Sequence, residues 1–161
     1  MNIRFKRLHP KAKIPLRGSK YAAGYDLTCT SMRRAGDIIV CGTGLAVEIP
    51  RGYFGALYAR SSVYLTGWEK VGGVCVVDCD YRGEVHVLFR DLRRAYEETL
   101  GIRRFLRETG QNDRASLVKP YEIGDRIAQL IIQPCVDALL VESDELSETQ
   151  RGTGGYGSTG R

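Results

Sequence analysis

The chain has 161 residues, which fits one domain of ordinary size that can bury its own core. Hydrophobic residues at 43% and charged residues at 27% exclude a disordered chain, and no run approaches the ~18–20 apolar residues of a membrane span. The net charge of +5 suits a polyanionic ligand, nucleic acid or nucleotide phosphate, and equally a surface kept basic for solubility.

Residues 1–13 are basic with only short apolar pieces and lack the apolar stretch of a signal peptide, so a soluble, cytoplasmic protein is expected. Apolar runs of strand length follow at 38–40, 45–49, 54–58, 74–77, 85–89, 127–132 and 139–141. They are rich in Val, Ile, Tyr and Phe, and Gly, Pro, Asp and Ser lie between them. That spacing predicts an all-β sandwich or barrel. Within 84–89 the residues alternate, which puts Val85, Val87 and Phe89 on one face. The stretch 91–108 breaks the pattern. Leu92, Tyr96 and Leu100 recur at i, i+4 and i+8, Ile102, Phe105 and Leu106 follow, and charges fill the gaps. It reads as a helix with a break at Gly101, and 110–116 as a polar loop. The tail, 147–161, is glycine-rich and poor in large apolar residues, and is expected to be a flexible arm. The whole chain reads as a single domain, 1–161, carrying an insert at 91–119 and this arm. Five cysteines, Cys29, Cys41, Cys75, Cys79 and Cys135, are an odd count at uneven spacing and read as buried reduced thiols. His9 and His86 do not complete a zinc site with them.

Four stretches could carry chemistry. In the tail, glycines let successive N–H groups converge on an anion, Ser158 and Thr159 add hydroxyls, Arg151 adds a planar cation, and Tyr156 offers a face for a base. The plainer reading of such a tail is a linker. Arg60, Ser61 and Ser62 end the 54–58 run, where a cation and two hydroxyls can hold phosphate oxygens or simply form a turn. Asp78 and Asp80 follow an apolar run, and one of them can stay near its core-facing side. A carboxylate in a cleft can deprotonate a water or hold a divalent cation, although an Asp-rich turn has the same composition. Gln129 sits among apolar residues and needs a specific partner if buried. Asp125 and Arg126 before it read as a structural pair at a strand start.

Read together and in order, these stretches resemble the five motifs of the trimeric dUTPase family. AAGYDL (22–27) looks like the first. ARSS (59–62), with Gly67 downstream, looks like the second, and VVDCDYRGEV (76–85) like the third. GDRIAQL (124–130) matches the fourth, and RGTGGYGSTG (151–160) the fifth, with Tyr156 where phenylalanine is usual. The resemblance covers essentially all of the chain except 91–119. It implies a jelly-roll β fold and a homotrimer whose sites are shared between subunits. The implied activity is Mg²⁺-dependent hydrolysis of dUTP to dUMP and pyrophosphate, a step of nucleotide metabolism that keeps uracil out of DNA. The resemblance implies that Asp78 is the base that activates water. Tyr81 packs on the deoxyribose, and Gly73 together with Val74 and Val77 of the 74–77 hairpin reads uracil through main-chain groups. Arg60, Ser61, Ser62 and Gln129 contact phosphates or the ordered water. Arg151, Gly157, Ser158 and Thr159 close on the phosphates, and Tyr156 stacks on the base. Mg²⁺ is held by the triphosphate and water, with no direct protein ligand. Three further positions depart from the family: Cys75 and Ser62 stand where glycine is usual, and Gly72 where asparagine is common. The insert exceeds the family's short hairpin. Its helix either packs on the barrel or binds a protein partner, and some phage members carry inserts in this region.

Two other readings compete. A dCTP deaminase of the same fold needs a catalytic glutamate where this chain has Leu88. A non-enzymatic regulatory module would be expected to lose the aspartate or the arm, and Asp78, Tyr81, Arg151 and Ser158 are all retained.

Overall fold

The computed structural model describes residues 1–92 and 119–155. In chain order the strands are β1 (Arg4–Arg7), β2 (Leu16–Arg17), β3 (Tyr25–Thr28), β4 (Ser31–Ala35), β5 (Ile38–Gly42), β6 (Leu45–Glu48), β7 (Tyr53–Ala59), β8 (Trp68–Lys70), β9 (Cys75–Val77), β10 (His86–Asp91) and β11 (Arg126–Pro134). They form an all-β jelly roll of three antiparallel sheets. One sheet pairs β1 with β6, a second runs β4-β5-β10-β8, and the third runs β2-β3-β11-β7-β9.

Alternation along the strands builds the interior. On β10, Val87 and Phe89 point inward and Leu88 outward, with Val85 buried just before the strand, as the pattern predicts. The core has two parts. Leu27, Leu45, Val47, Ile49, Leu57, Val77, Val85 and Leu130 pack together in the first. Ile39, Trp68, Val87, Phe89, Tyr121 and Ile127 pack in the second with Cys29 and Cys41. Its rings meet at tilted and edge-on angles, with Trp68 to Phe89 centroids 5.7 Å apart. The expectation of buried thiols holds for these two cysteines; Cys75 and Cys79 are half-buried and Cys135 is exposed, and all five are free.

The structure corrects the sequence reading in three places. β1, β2, β3, β4 and β8 were not signalled by apolar runs. β1 and β4 are largely exposed along their length, so backbone ladders rather than an apolar face define them. Residues 139–141, read as a strand, form none, and their side chains lie open. Asp91, the expected helix start, is instead the last rung of β10, opposite Trp68. The remainder of that helix and the polar loop lie outside the described residues. Among the described residues no helix is long and apolar enough to cross a membrane.

Candidate active site

Asp78 follows directly on β9, the edge strand of the five-stranded sheet. The Tyr81 N–H donates to the Asp78 carbonyl at 3.2 Å and closes a turn. Asp78 and Asp80 are both exposed in the single chain, so neither is drawn to the core side as the sequence reading allowed. The Tyr81 ring lies across Gly83: a β-carbon on Gly83 would sit 2.4 Å from the phenol oxygen. That hydroxyl donates to the Glu84 carbonyl at 3.0 Å. The ring is thereby fixed at a cleft of about 210 Å³ whose walls include Leu57, Cys75, Asp78, Glu84 and His86. The Val77 side chain is in the first core cluster, and Gly73 sits in a left-handed turn at φ 55°. Val74 and Val76 of this hairpin are exposed.

A second group of side chains gathers at the far end of the same sheet. Asp26 is 6% exposed, lies directly opposite Gln129 across β3 and β11, and draws in three side chains. Arg60 Nε stands 3.2 Å from one oxygen and an Arg126 guanidinium nitrogen 2.9 Å from the other. Gln129 Nε2 donates to it at 3.3 Å. Gln129 thus has the specific partner its position required. Arg126 pairs with Asp26 and not with Asp125, whose carboxylate accepts the Glu122 N–H within a turn. Ser61 and Ser62 open a short 3-10 helix, Ser61–Thr66, that Gly67 ends in a left-handed conformation at φ 67°. A cleft of about 340 Å³ beside them is lined by Arg60, Ser62, Lys119, Tyr121 and Arg126, among others. Burial pushes the Tyr121 phenol above its ordinary pKa, offset in part by Ser62 and Arg60 nearby.

Asp26 and Arg126 were missed as candidate residues. The available signal was a carboxylate inside the short strand YDLT, where burial obliges it to find cations. Asp26→Asn removes the charge that both arginines face. We expect a loss of about 2–3 kcal/mol, on the scale of hydrogen bonds to charged groups. At 2–4 °C per kcal/mol that lowers Tm by roughly 4–12 °C. Thermal melts check this, and an unchanged Tm would mean that Asp26 contributes little to stability.

Register separates the two groups within one chain. Val77 pairs with Gly55, so Asp78 falls level with Phe54, whereas Arg60 follows the other end of β7. Six residues at about 3.3 Å each put them roughly 20 Å apart. Arg151 lies elsewhere again, its Nε donating to the Gly154 carbonyl at 2.8 Å in a local turn. Tyr156, Gly157, Ser158 and Thr159 lie outside the described residues.

A jelly roll with a carboxylate-bearing hairpin and a separate arginine-lined cleft defines the class: an all-β protein with groups suited to anionic ligands. The family model for dUTPase matches residues 10–95 and 119–160. The gap falls inside the stretch the sequence sets apart as an insert. The deoxyuridine 5'-triphosphate nucleotidohydrolase of Nautilia profundicola is 35% identical, with all of both chains covered. The Arabidopsis thaliana protein of that name is 36% identical, covering 98% of this chain and 82% of its own. Among solved structures, the Staphylococcus bacteriophage 80alpha dUTPase with dUPNHPP superposes with a TM-score of 0.76 at 26% identity, covering 99% of both chains. The chain belongs to the dUTPase family.

Proposed function

We propose that this chain hydrolyses dUTP to dUMP and pyrophosphate. The observation that carries the reading is the placement of Asp78 with a fixed Tyr81 ring at one small cleft. In this reading Asp78 takes a proton from a water molecule, whose oxygen attacks the α-phosphorus. The bond to the bridging oxygen breaks and pyrophosphate leaves. Such transfers are driven mostly by positioning and by stabilisation of charge. The Tyr81 ring, pinned by Gly83 and Glu84, forms a wall against the deoxyribose and excludes a ribose 2′-hydroxyl. Main-chain groups of Gly73, Val74 and Val77 read uracil. Arg60, Ser61, Ser62 and Gln129 hold the phosphates and the ordered water. The Asp26 carboxylate keeps Arg60 aimed.

Mg²⁺ is the cofactor in this proposal, and when bound it neutralises charge on the phosphates. Both oxygens of Asp26 are occupied by Arg60, Arg126 and Gln129. In this reading the hard oxygen ligands for the ion come from the triphosphate and water.

The assembly in this reading is a homotrimer, and the same geometry supports association of copies. An acid and an arginine roughly 20 Å apart on one sheet cannot serve one α-phosphate, but neighbouring copies can bring one of each together. The open apolar stretch supports association: Val136, Leu139, Leu140 and Val141 are exposed, Leu140 at 95%. Apolar surface of this kind marks a place that another chain covers. The chain acts as one domain of that assembly, with 151–160 closing over the phosphates.

The test is pyrophosphate release from dUTP, UTP, dTTP and dCTP with Mg²⁺, alongside a solution mass. Turnover of dUTP well above the other three, from a particle of three chains, is expected. Leu88 lies on the outward side of β10 and cannot shuttle protons, so dCTP should release no ammonia. Ammonia release comparable to dUTP turnover would move the assignment to a deaminase.

A further inference from the structure

Lys70 occupies an inward position on β8. The strand alternates buried, exposed, buried, and Trp68, on the same face, belongs to the second core cluster. An apolar residue is what that alternation calls for. Instead an ammonium stands there on a residue 8% exposed. A buried cation needs acceptors, and Lys70 has three, all within the next five residues. Its Nζ donates to the Gly73 carbonyl at 2.6 Å, to the Cys75 thiol at 3.2 Å and to the Val71 carbonyl at 3.4 Å.

The position of these acceptors matters. β8 is the edge strand of the four-stranded sheet and β9 the edge strand of the five-stranded sheet. The turn between them crosses from one sheet to the other. It contains Gly72 at φ 77° and Gly73 at φ 55°, two adjacent residues without side chains in left-handed geometry. Such a turn has little of its own to hold its shape, because glycine has the greatest backbone freedom to lose. The ammonium ties it at two carbonyls and at the first residue of β9, and Cys75 is also a wall of the Asp78–Tyr81 cleft.

We propose that Lys70 and Cys75 form a side-chain clamp that sets the shape of the 71–75 turn, and that Lys70 is thereby a positioning residue for base selection in the Asp78–Tyr81 cleft. The proposal rests on the reading of this cleft as a dUTP site. Lys70 touches no substrate. It acts by holding the Gly73 carbonyl and thereby keeping the main chain of 73–77 in one arrangement. Cys75 is the acceptor that joins the clamp to β9. A smaller residue at 75 leaves the ammonium short of one partner.

Lys70→Met keeps the length of the stem and fits an apolar interior, so the fold survives and Tm stays at or above that of the wild type. Amide hydrogen exchange at 71–76 is expected to quicken at least tenfold in Lys70→Met, with the rest of the barrel unchanged. KM for dUTP is expected to rise about tenfold with kcat within threefold, and the preference for dUTP over dTTP and dCTP to narrow by a similar factor. Cys75→Ser keeps an acceptor and should match the wild type in exchange at 71–76; Cys75→Ala should quicken that exchange towards Lys70→Met. Unchanged exchange at 71–76 in Lys70→Met overturns the clamp, whatever the protein's activity. Faster exchange with unaltered KM and nucleotide preference overturns its role in base selection. A wild type that neither turns over dUTP nor binds dUMP overturns the reading of the cleft, and with it the role in base selection, while the exchange result still decides the clamp.

Discussion

Asp78→Asn is expected to abolish most turnover while leaving the fold and the assembly intact. The turn around it is closed by main-chain groups, the Tyr81 N–H and the Asp78 carbonyl, which the substitution does not alter. The side chain is exposed at the end of β9 and contributes nothing to the core. Asparagine is well tolerated at such turns, so melting curves should coincide. Loss of a general base costs ~10²–10⁴-fold in rate, and kcat should fall within that range. Binding of dUTP with Mg²⁺ should persist or strengthen, because a negative charge near the α-phosphate has gone. Asp80 supplies the internal control. It is two residues away, equally exposed and of the same chemistry, so a role in the turn alone would make the two positions interchangeable. Pyrophosphate release from Asp78→Asn, Asp80→Asn and wild type, measured together, separates the cases. Near-wild-type turnover by Asp78→Asn would falsify the base assignment.

Truncation after Thr149 is expected to cripple catalysis without cost to the proposed trimer. The described part of the arm makes local bonds: Gly152 N–H to the Thr149 carbonyl, Gly154 N–H to the Arg151 carbonyl, and Arg151 to Gly154. Neither core cluster includes any of it. The apolar residues assigned to the contact with another copy, Val136 to Val141, all precede the cut. What is lost is a set of donors: Arg151, the hydroxyls of Ser158 and Thr159, and the amides of a glycine-rich chain. A single preorganised donor contributes about 10²–10³-fold to kcat, so the truncated protein should lose at least that much. Steady-state kinetics and a solution mass on the same preparation check both halves. An unchanged kcat removes the arm from the mechanism, and dissociation into single chains would assign it to assembly instead.

The family was legible because its motifs are written as contiguous strings. ARSS, VVDCDYRGEV, GDRIAQL and RGTGGYGSTG each hold the residue types a phosphate or a base needs within a few positions, and the family comparison spans the same strings. The inward face of β10 was legible for a similar reason, since alternation is a local property. The exposed strands β1 and β4 were not, because an edge strand shows no apolar period and is defined by its partner's backbone.

The sequence by itself determined the all-β class, the alternation on β10 and the resemblance to the family; it nominated the acid, Arg60, Arg151 and the hydroxyls, and asked for a partner for Gln129 if that residue were buried. Only the tertiary structure decided that this partner is Asp26, 103 residues away, and that Arg60 and Arg126 share it. It also decided that Lys70 turns into the interior between two sheet edges, and that Asp78 and Arg60 lie at opposite ends of β7. These facts depend on which strands lie side by side and in what register. Register is set by burial and pairing across the whole chain, and no string of neighbouring residues records it.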